Sequence, residues 1–133
     1  YQLMQGEIRE QEVELELKVA NKEMTVTADP ELIEMVLINL VKNALQAVQD
    51  RPDARVEMVG EMNQNLQPII RVIDNGPGII PEAQERIFIP FYTTKKSGSG
   101  IGLALSRQIL QLHKGSLTVN SEPDKRTEFT ITL

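Results

Sequence analysis

Residues 55–78 read RVEMVGEMNQNLQPIIRVIDNGPG. Two runs rich in Val and Ile, 55–62 and 68–74, flank a short polar link from Asn63 to Gln67. That pattern predicts two consecutive strands. The second, Ile69-Ile70-Arg71-Val72-Ile73, is the more apolar and is expected nearer the middle of a sheet. It runs directly into Asp74-Asn75-Gly76-Pro77-Gly78, which is rich in turn formers and must be a loop.

Working outward, the strand pair is flanked by helices. Asp29 is a suitable N-cap and Pro30 suits the first helical position, where its missing N–H does no harm. Apolar residues follow at Leu32, Ile33, Val36, Leu37, Leu40, Val41, Ala44, Leu45 and Val48. This is the spacing of a helix packed on a core, and it ends near Asp50, before Pro52. On the other side, Pro81 to about Ile87 predicts a short helix. A longer one follows from about Gly102 to His113, with Gly115 as its expected stop. Upstream, Val13, Leu15, Leu17 and Val19 alternate with Glu12, Glu14, Glu16 and Lys18, as in a strand with one wet face. With Met24–Ala28 it is expected to form a hairpin. Leu117–Asn120 and Thr127–Leu133 predict two last strands around a Pro123-Asp124 turn. Helices therefore separate pairs of strands, not single strands. This argues against a doubly wound parallel fold and for an α+β, two-layer α/β sandwich, a mixed sheet with helices on one face.

Composition narrows the function. The chain has 133 residues, 41% hydrophobic and 25% charged, as expected of one globular domain. It has no Cys and one His, which excludes disulfide scaffolds, thiolate chemistry and multi-His metal sites. A net charge of −5 argues against nucleic acid as a partner. No apolar run reaches the roughly 18 residues that span a bilayer. The chain starts at Tyr1, so we read it as a single domain, residues 1–133, excised from a larger protein. The expected location is cytoplasmic, and any membrane anchor of the parent would lie elsewhere in it.

Three stretches carry candidate chemistry. Asn39 and Asn43 are four apart and share a side of the first helix, Asn43 on the edge of its apolar stripe and Asn39 further round. An amide oxygen there could ligate Mg²⁺, or both could be plain surface amides. Asp74 ends a buried strand, where a carboxylate is costly unless satisfied. Its loop is either a tight turn or a place where Gly76 and Gly78 let a ligand approach. Gly98-Ser99-Gly100-Ile101-Gly102 leads into a helix N-terminus, whose free N–H groups suit phosphate, and Lys95 and Lys96 lie just upstream. A flexible linker is the alternative. Neither a Walker sequence nor the dinucleotide fingerprint fits. His113 reads as a cation capping a helix end or a partly exposed side chain. Ser106, Thr93 and Thr94 have no His close in sequence, so a hydrolase triad has no support.

Taken together, the stretches resemble the catalytic and ATP-binding domain of two-component sensor histidine kinases, of the nitrogen-regulation kind. Asn39-Leu-Val-Lys-Asn43-Ala-Leu-Gln-Ala-Val resembles the N box and Asp74-Asn-Gly-Pro-Gly78-Ile the G1 box. Phe88-Ile-Pro-Phe91-Tyr-Thr-Thr-Lys95 resembles the F box and Gly98-Ser-Gly-Ile-Gly102-Leu-Ala-Leu-Ser the G2 box. All four stand in the family's order, and the resemblance covers about residues 10–133. It implies the Bergerat ATP-binding fold.

It also implies roles. Asn43 would hold Mg²⁺ against the phosphates, with Asn39 beside it, and Lys95 would reach the phosphates. Asp74 would accept from the adenine amino group. Gly76 and Gly78 would admit the purine, with Ile79 and Thr127 near it. Phe88 and Phe91 would anchor the base of a lid at 92–100, expected to be mobile without nucleotide. Gly98, Gly100 and Gly102 would form the lid hinge and the N–H cradle at the helix start, with Thr94, Ile101 and Leu103 also among the nucleotide-binding residues. ATP and Mg²⁺ are the implied cofactors. The implied partners are the kinase's own dimerisation domain, which carries the phosphoacceptor His, and a response regulator. The excised domain is expected to be a monomer that binds Mg·ATP without phosphorylating itself. Gln46 stands where many members carry Lys or Arg, and Asp124-Lys125-Arg126 replaces a frequent Gly-x-Gly. Hydrolysing members of the superfamily carry Glu where Asn39 stands. An anti-sigma-type Ser/Thr kinase and a degenerate nucleotide-sensing module are the alternatives.

Overall fold

The computed structural model describes residues 14–19 (as backbone), 29–49, 51–84, 86–90 and 102–133. The elements in order are β1 (Glu14–Val19), α1 (Pro30–Ala47), β2 (Arg55–Met62), β3 (Pro68–Asp74), α2 (Pro81–Gln84), α3 (Gly102–Leu112), β4 (Ser116–Glu122) and β5 (Arg126–Thr132).

Helix α1 begins as its sequence dictates. Asp29 accepts from the N–H groups of Glu31 (3.0 Å) and Leu32 (3.3 Å), Pro30 follows it, and Glu31 lies in the positive first turn. Its apolar stripe buries Val36, Leu40, Val41, Ala44 and Leu45, and Val48 just beyond is buried too. The β2–β3 link is organised by Asn63, whose Oδ1 accepts from the N–H groups of Asn65 and Gln67, both at 2.9 Å.

The five strands form one mixed sheet in the order β1-β2-β3-β5-β4. β1 and β2 are parallel, and the other neighbours are antiparallel. The parallel pair is possible because α1 lies between its strands in the chain and can carry the crossover. β3 is the central strand, as its apolarity predicts. One face of the sheet carries the core. Val56, Val72, Phe129, Ile131 and Leu117 meet α1 and the buried Ile109 and Leu110 of α3. The opposite face is laced with charge. Arg71 pairs with Glu61 and with Glu128 (3.7 Å), and Arg126 pairs with Glu128 (3.6 Å). Helices on one side of a mixed sheet make the two-layer sandwich.

Several expectations need amendment. The alternating segment 14–19 is a strand, but its described neighbour is β2 in parallel. Residues 20–28, which include the expected hairpin partner, lie outside the described residues. So does the segment 91–101. The short helix is one turn long, 81–84. Gly115 does not adopt the left-handed conformation that usually ends a helix. Lys114 does, at φ +60. Its N–H bonds to Gln111 O (3.0 Å) and that of Gly115 to Leu110 O (2.8 Å), a Schellman closure. Gly115 is glycine for a different reason: a Cβ there would overlap the carbonyl of Thr132. Nor is His113 a capping cation. Its Nδ1 lies 2.8 Å from Ile109 O and its Nε2 accepts from the Asp29 N–H at 3.1 Å. A ring that donates at Nδ1 and accepts at Nε2 is the neutral tautomer. His113 thus ties the end of α3 to the cap of α1.

Candidate functional site

Asp74 ends the central strand on the helix-covered face and is 4% exposed. Across the sheet it stands opposite Val56 on β2 and Thr127 on β5, and Thr127 stands opposite Ser121 on β4. Residues in register share a face. Asp74, Thr127 and Ser121 therefore make a polar row across three strands of an otherwise apolar layer. Thr127 is also 4% exposed. Asp74 accepts from the Gly76 N–H through Oδ1 at 2.9 Å.

The loop after β3 is held on every side. Asn75 Oδ1 accepts from the Arg55 N–H (2.8 Å), and its Nδ2 donates to Asp53 O (2.7 Å). Gly76 is packed so closely that a Cβ would lie 2.8 Å from both Ala47 O and Asp74 Oδ1. Gly78 has φ +74, and a Cβ there would lie 2.5 Å from Glu122 O. The Asp124 N–H donates to Pro77 O at 2.5 Å. Ile79 N–H donates to Ser121 Oγ (2.7 Å), while Gln84 Nε2 donates to Ile79 O (2.7 Å) and Ser121 O (3.2 Å). The two glycines thus have structural reasons of their own. The turn that replaces Gly-x-Gly is intact: Pro123 is followed by Asp124 at φ +64, and Lys125 N–H bonds to Glu122 O, the pattern of a type II turn.

The other wall is α1. Asn43 borders the core, half-buried, as the helical spacing predicts, and Asn39, expected further round the helix, is half-buried as well. Asn39 donates from Nδ2 to the buried Ser106 Oγ of α3 at 3.2 Å. Its Oδ1 lies so close to Gly102 that a Cβ there would overlap it. Ser106, without a His to activate it, is thus a clasp between helices. One turn on is Asn43, which also has a partner in the folded chain. One further turn brings Ala47, against Gly76. The line Asn39–Asn43–Ala47 spans about 12 Å along the helix. It runs from the start of α3 to the loop beside Asp74, with Asn43 midway. α3 has no acidic residue in its first turn, so its N–H groups keep their positive potential.

Phe88 is half-buried against the core. Its ring meets Phe129 edge-on (centroids 6.5 Å, 88°), and the Arg107 guanidinium lies 4.4 Å above it. Ile79 and Leu103 are partly buried against the same core. Phe91, Thr94, Lys95, Gly98, Gly100 and Ile101 lie outside the described residues. Gln46, in place of a basic residue, is exposed. Sequence reading missed Ser121, Gln84 and the positioning role of Asn75. The available signal was that Ser121 continues the inward register of Leu117 and Val119. Among the described residues no group of three His, Cys, Asp or Glu could hold a metal ion, and no helix is long and apolar enough to cross a membrane.

The geometry offers a buried acceptor at one end, an amide in the middle and a positive helix end at the other. Comparison with known proteins identifies the family. The family model for histidine kinase-, DNA gyrase B- and HSP90-like ATPases matches residues 28–133. The signal transduction histidine-protein kinase AtoS of Escherichia coli K12 is 41% identical over 113 residues, which cover 85% of this chain and 18% of AtoS. The chain thus spans less than a fifth of that relative. The catalytic domain of histidine kinase ThkA has the same fold (TM-score 0.88, 30% identity, covering 100% of this chain and 86% of that one). ThkA in complex with the response regulator TrrA also matches (TM-score 0.80, 29% identity, 99% and 37% covered). So does full-length ShkA in complex with AMPPNP (TM-score 0.86, 26% identity, 98% and 27% covered). On the family model and these relatives, this chain belongs to the family of histidine kinase-, DNA gyrase B- and HSP90-like ATPases, as a catalytic domain of the sensor histidine kinase kind.

Proposed function

We propose that this domain binds Mg·ATP in the cleft between α1 and the loop after β3. As part of a longer sensor kinase, it donates the γ-phosphoryl group to a histidine on that kinase's dimerisation domain. The observation that carries the reading is Asp74: a buried carboxylate at the end of a central strand, beside a loop held rigid on all sides. Asp74 accepts from the Gly76 N–H, and the several lone-pair sites of a carboxylate leave room for a ligand donor as well. The amino group of adenine supplies a donor.

Asn43 would hold the metal through its amide oxygen. A single hard oxygen ligand, completed by phosphate oxygens and water, suits Mg²⁺, which neutralises charge on the transferring phosphate. The N–H groups at the start of α3 would meet the phosphates, with Lys95 and the glycines at 98–102 completing the cradle. In the transfer, an imidazole nitrogen of the acceptor histidine attacks the γ-phosphorus. The bond to the β–γ bridging oxygen breaks, and ADP leaves. Asn39 is an amide tied to Ser106, not a base, and it cannot take a proton from water. That favours transfer to a side chain over hydrolysis. The AMPPNP complex of ShkA supports nucleotide binding, and the ThkA–TrrA complex supports a response regulator as the later acceptor. The relatives above are sensor histidine kinases, which favours histidine over Ser/Thr as the acceptor. The parent would hold the cytoplasmic phosphoacceptor domain, and this domain alone would be monomeric.

The test has two arms. Calorimetric titration with ADP and Mg²⁺ should show one site. Incubation with γ-labelled ATP should leave the chain unlabelled, since the acceptor histidine is elsewhere. Stable label on the chain, or no nucleotide binding, would overturn the reading.

A further inference from the structure

Ser121 has no role in the proposal above, yet among the described residues it is the most highly connected hydroxyl beside the cleft. Its Oγ lies 2.7 Å from Arg126 O, 2.7 Å from the Ile79 nitrogen and 3.1 Å from Thr127 Oγ1. A hydroxyl has one proton and two lone pairs. A carbonyl only accepts, so the short contact to Arg126 O takes the Ser121 proton. The Ile79 N–H only donates, so it takes one lone pair. What remains is the second lone pair, and the Thr127 hydroxyl must point its proton there. Every hydrogen-bonding position of Ser121 is then used, and the direction of the Thr127 hydroxyl is fixed. Thr127 can show the cleft only its lone pairs.

We propose that Ser121 is a positioning residue that locks the Thr127 hydroxyl as an acceptor and so sets the preference of the site for 6-aminopurine over 6-oxopurine. The inference rests on the nucleotide reading. Asp74, directly across from Thr127, is an acceptor as a carboxylate. Two acceptors side by side on one face of the sheet complement an amino group, or a water whose two protons point inward. They repel a carbonyl oxygen. If Thr127 could rotate, it could donate to that oxygen, and part of the discrimination would vanish. Ser121 removes that freedom without touching the ligand. It is itself held by the strand pair β4–β5 and, through Ile79 and Gln84, by the loop that carries the glycines.

The test is the ratio of ADP to inosine diphosphate affinity, measured by calorimetry with Mg²⁺ on the intact chain. In Ser121→Ala the Thr127 proton loses its partner and the hydroxyl turns freely. ADP should weaken and inosine diphosphate should bind better, so the ratio narrows about five- to tenfold, the value of one ordinary hydrogen bond. Ser121→Thr keeps a hydroxyl on the same carbon and should restore the ratio. A merely structural role would weaken both nucleotides in proportion and leave the ratio unchanged, which would overturn the inference. Thr127→Val guards against a poorly folded Ser121 variant, because it leaves the Ser121 bonds to Ile79 and Arg126 intact. It too should narrow the ratio, and adding Ser121→Ala to it should narrow it no further. An unchanged ratio in Thr127→Val would overturn the inference while sparing the nucleotide reading. Failure of the unsubstituted chain to bind ADP would overturn both.

Discussion

Gly102 and Asn39 are expected to behave as one unit. A Cβ on Gly102 would overlap Asn39 Oδ1 and lie 2.9 Å from its Cγ. The amide cannot swing away freely, because its Nδ2 is bonded to Ser106 Oγ at 3.2 Å and Ser106 is only 3% exposed. Gly102→Ala must therefore displace the amide, break that bond and leave a buried hydroxyl short of a partner. The bond and the desolvated hydroxyl together cost about 2–3 kcal/mol. Alanine offsets this by up to about 1 kcal/mol through its higher helix propensity. The net loss should be about 1–2 kcal/mol in urea unfolding. With Asn39→Ala already present, the amide is gone and the space is open. Gly102→Ala should then be neutral or stabilising. The sign of the effect depends on the background, which is what a double-mutant cycle reads. Equal destabilisation in both backgrounds would refute the contact as the reason for glycine at this position.

Lys114→Gly should raise stability by about 1 kcal/mol, because Lys114 is left-handed at φ +60. Gly115→Ala, one residue on, should lower it through the clash with the Thr132 carbonyl; thermal unfolding distinguishes the two. His113→Ala removes the bonds to Ile109 O and the Asp29 N–H, and should cost about 1 kcal/mol in urea unfolding, since both lie near solvent. Arg107→Ala should cost about 0.5–1 kcal/mol by losing the guanidinium over the Phe88 ring, and Arg107→Lys should recover part of it.

The sequence is most informative where local chemistry and long-range packing agree. Helix α1 is legible because its cap, its Pro30 and its apolar stripe all specify the same element. β3 is legible as the central strand because it is apolar on both faces except for Arg71 and Asp74, and Asp74 stands out because a carboxylate follows that run. The direction and partner of β1 are not legible. Alternation reports which face is wet, and nothing in it separates a parallel neighbour from a hairpin. The helix stop after α3 falls where the sequence puts it, but the reason for its glycine is physical and different. Gly115 suggests a C-cap, but its missing side chain makes room for Thr132, distant in sequence and adjacent in space. The inward register of Leu117 and Val119 marks the face of Ser121, but its role is hidden for the opposite reason. Its neighbours are plain, and its role exists only once the β4–β5 register sets it beside Thr127 and the loop beside Ile79.

The central claim is that the Asp74 carboxylate receives the amino group of a purine nucleotide. Asp74→Asn keeps the shape and can keep one acceptor toward the Gly76 N–H, but it loses the charge and places an NH₂ in the row. Calorimetry with ADP and Mg²⁺ on the folded variant measures the consequence. A charge-assisted bond lost to an unpaired donor is worth about 2–3 kcal/mol, or roughly thirty- to a hundred-and-fiftyfold in affinity. The account predicts at least that loss with the thermal midpoint little changed. Unchanged affinity in a folded Asp74→Asn protein would contradict it.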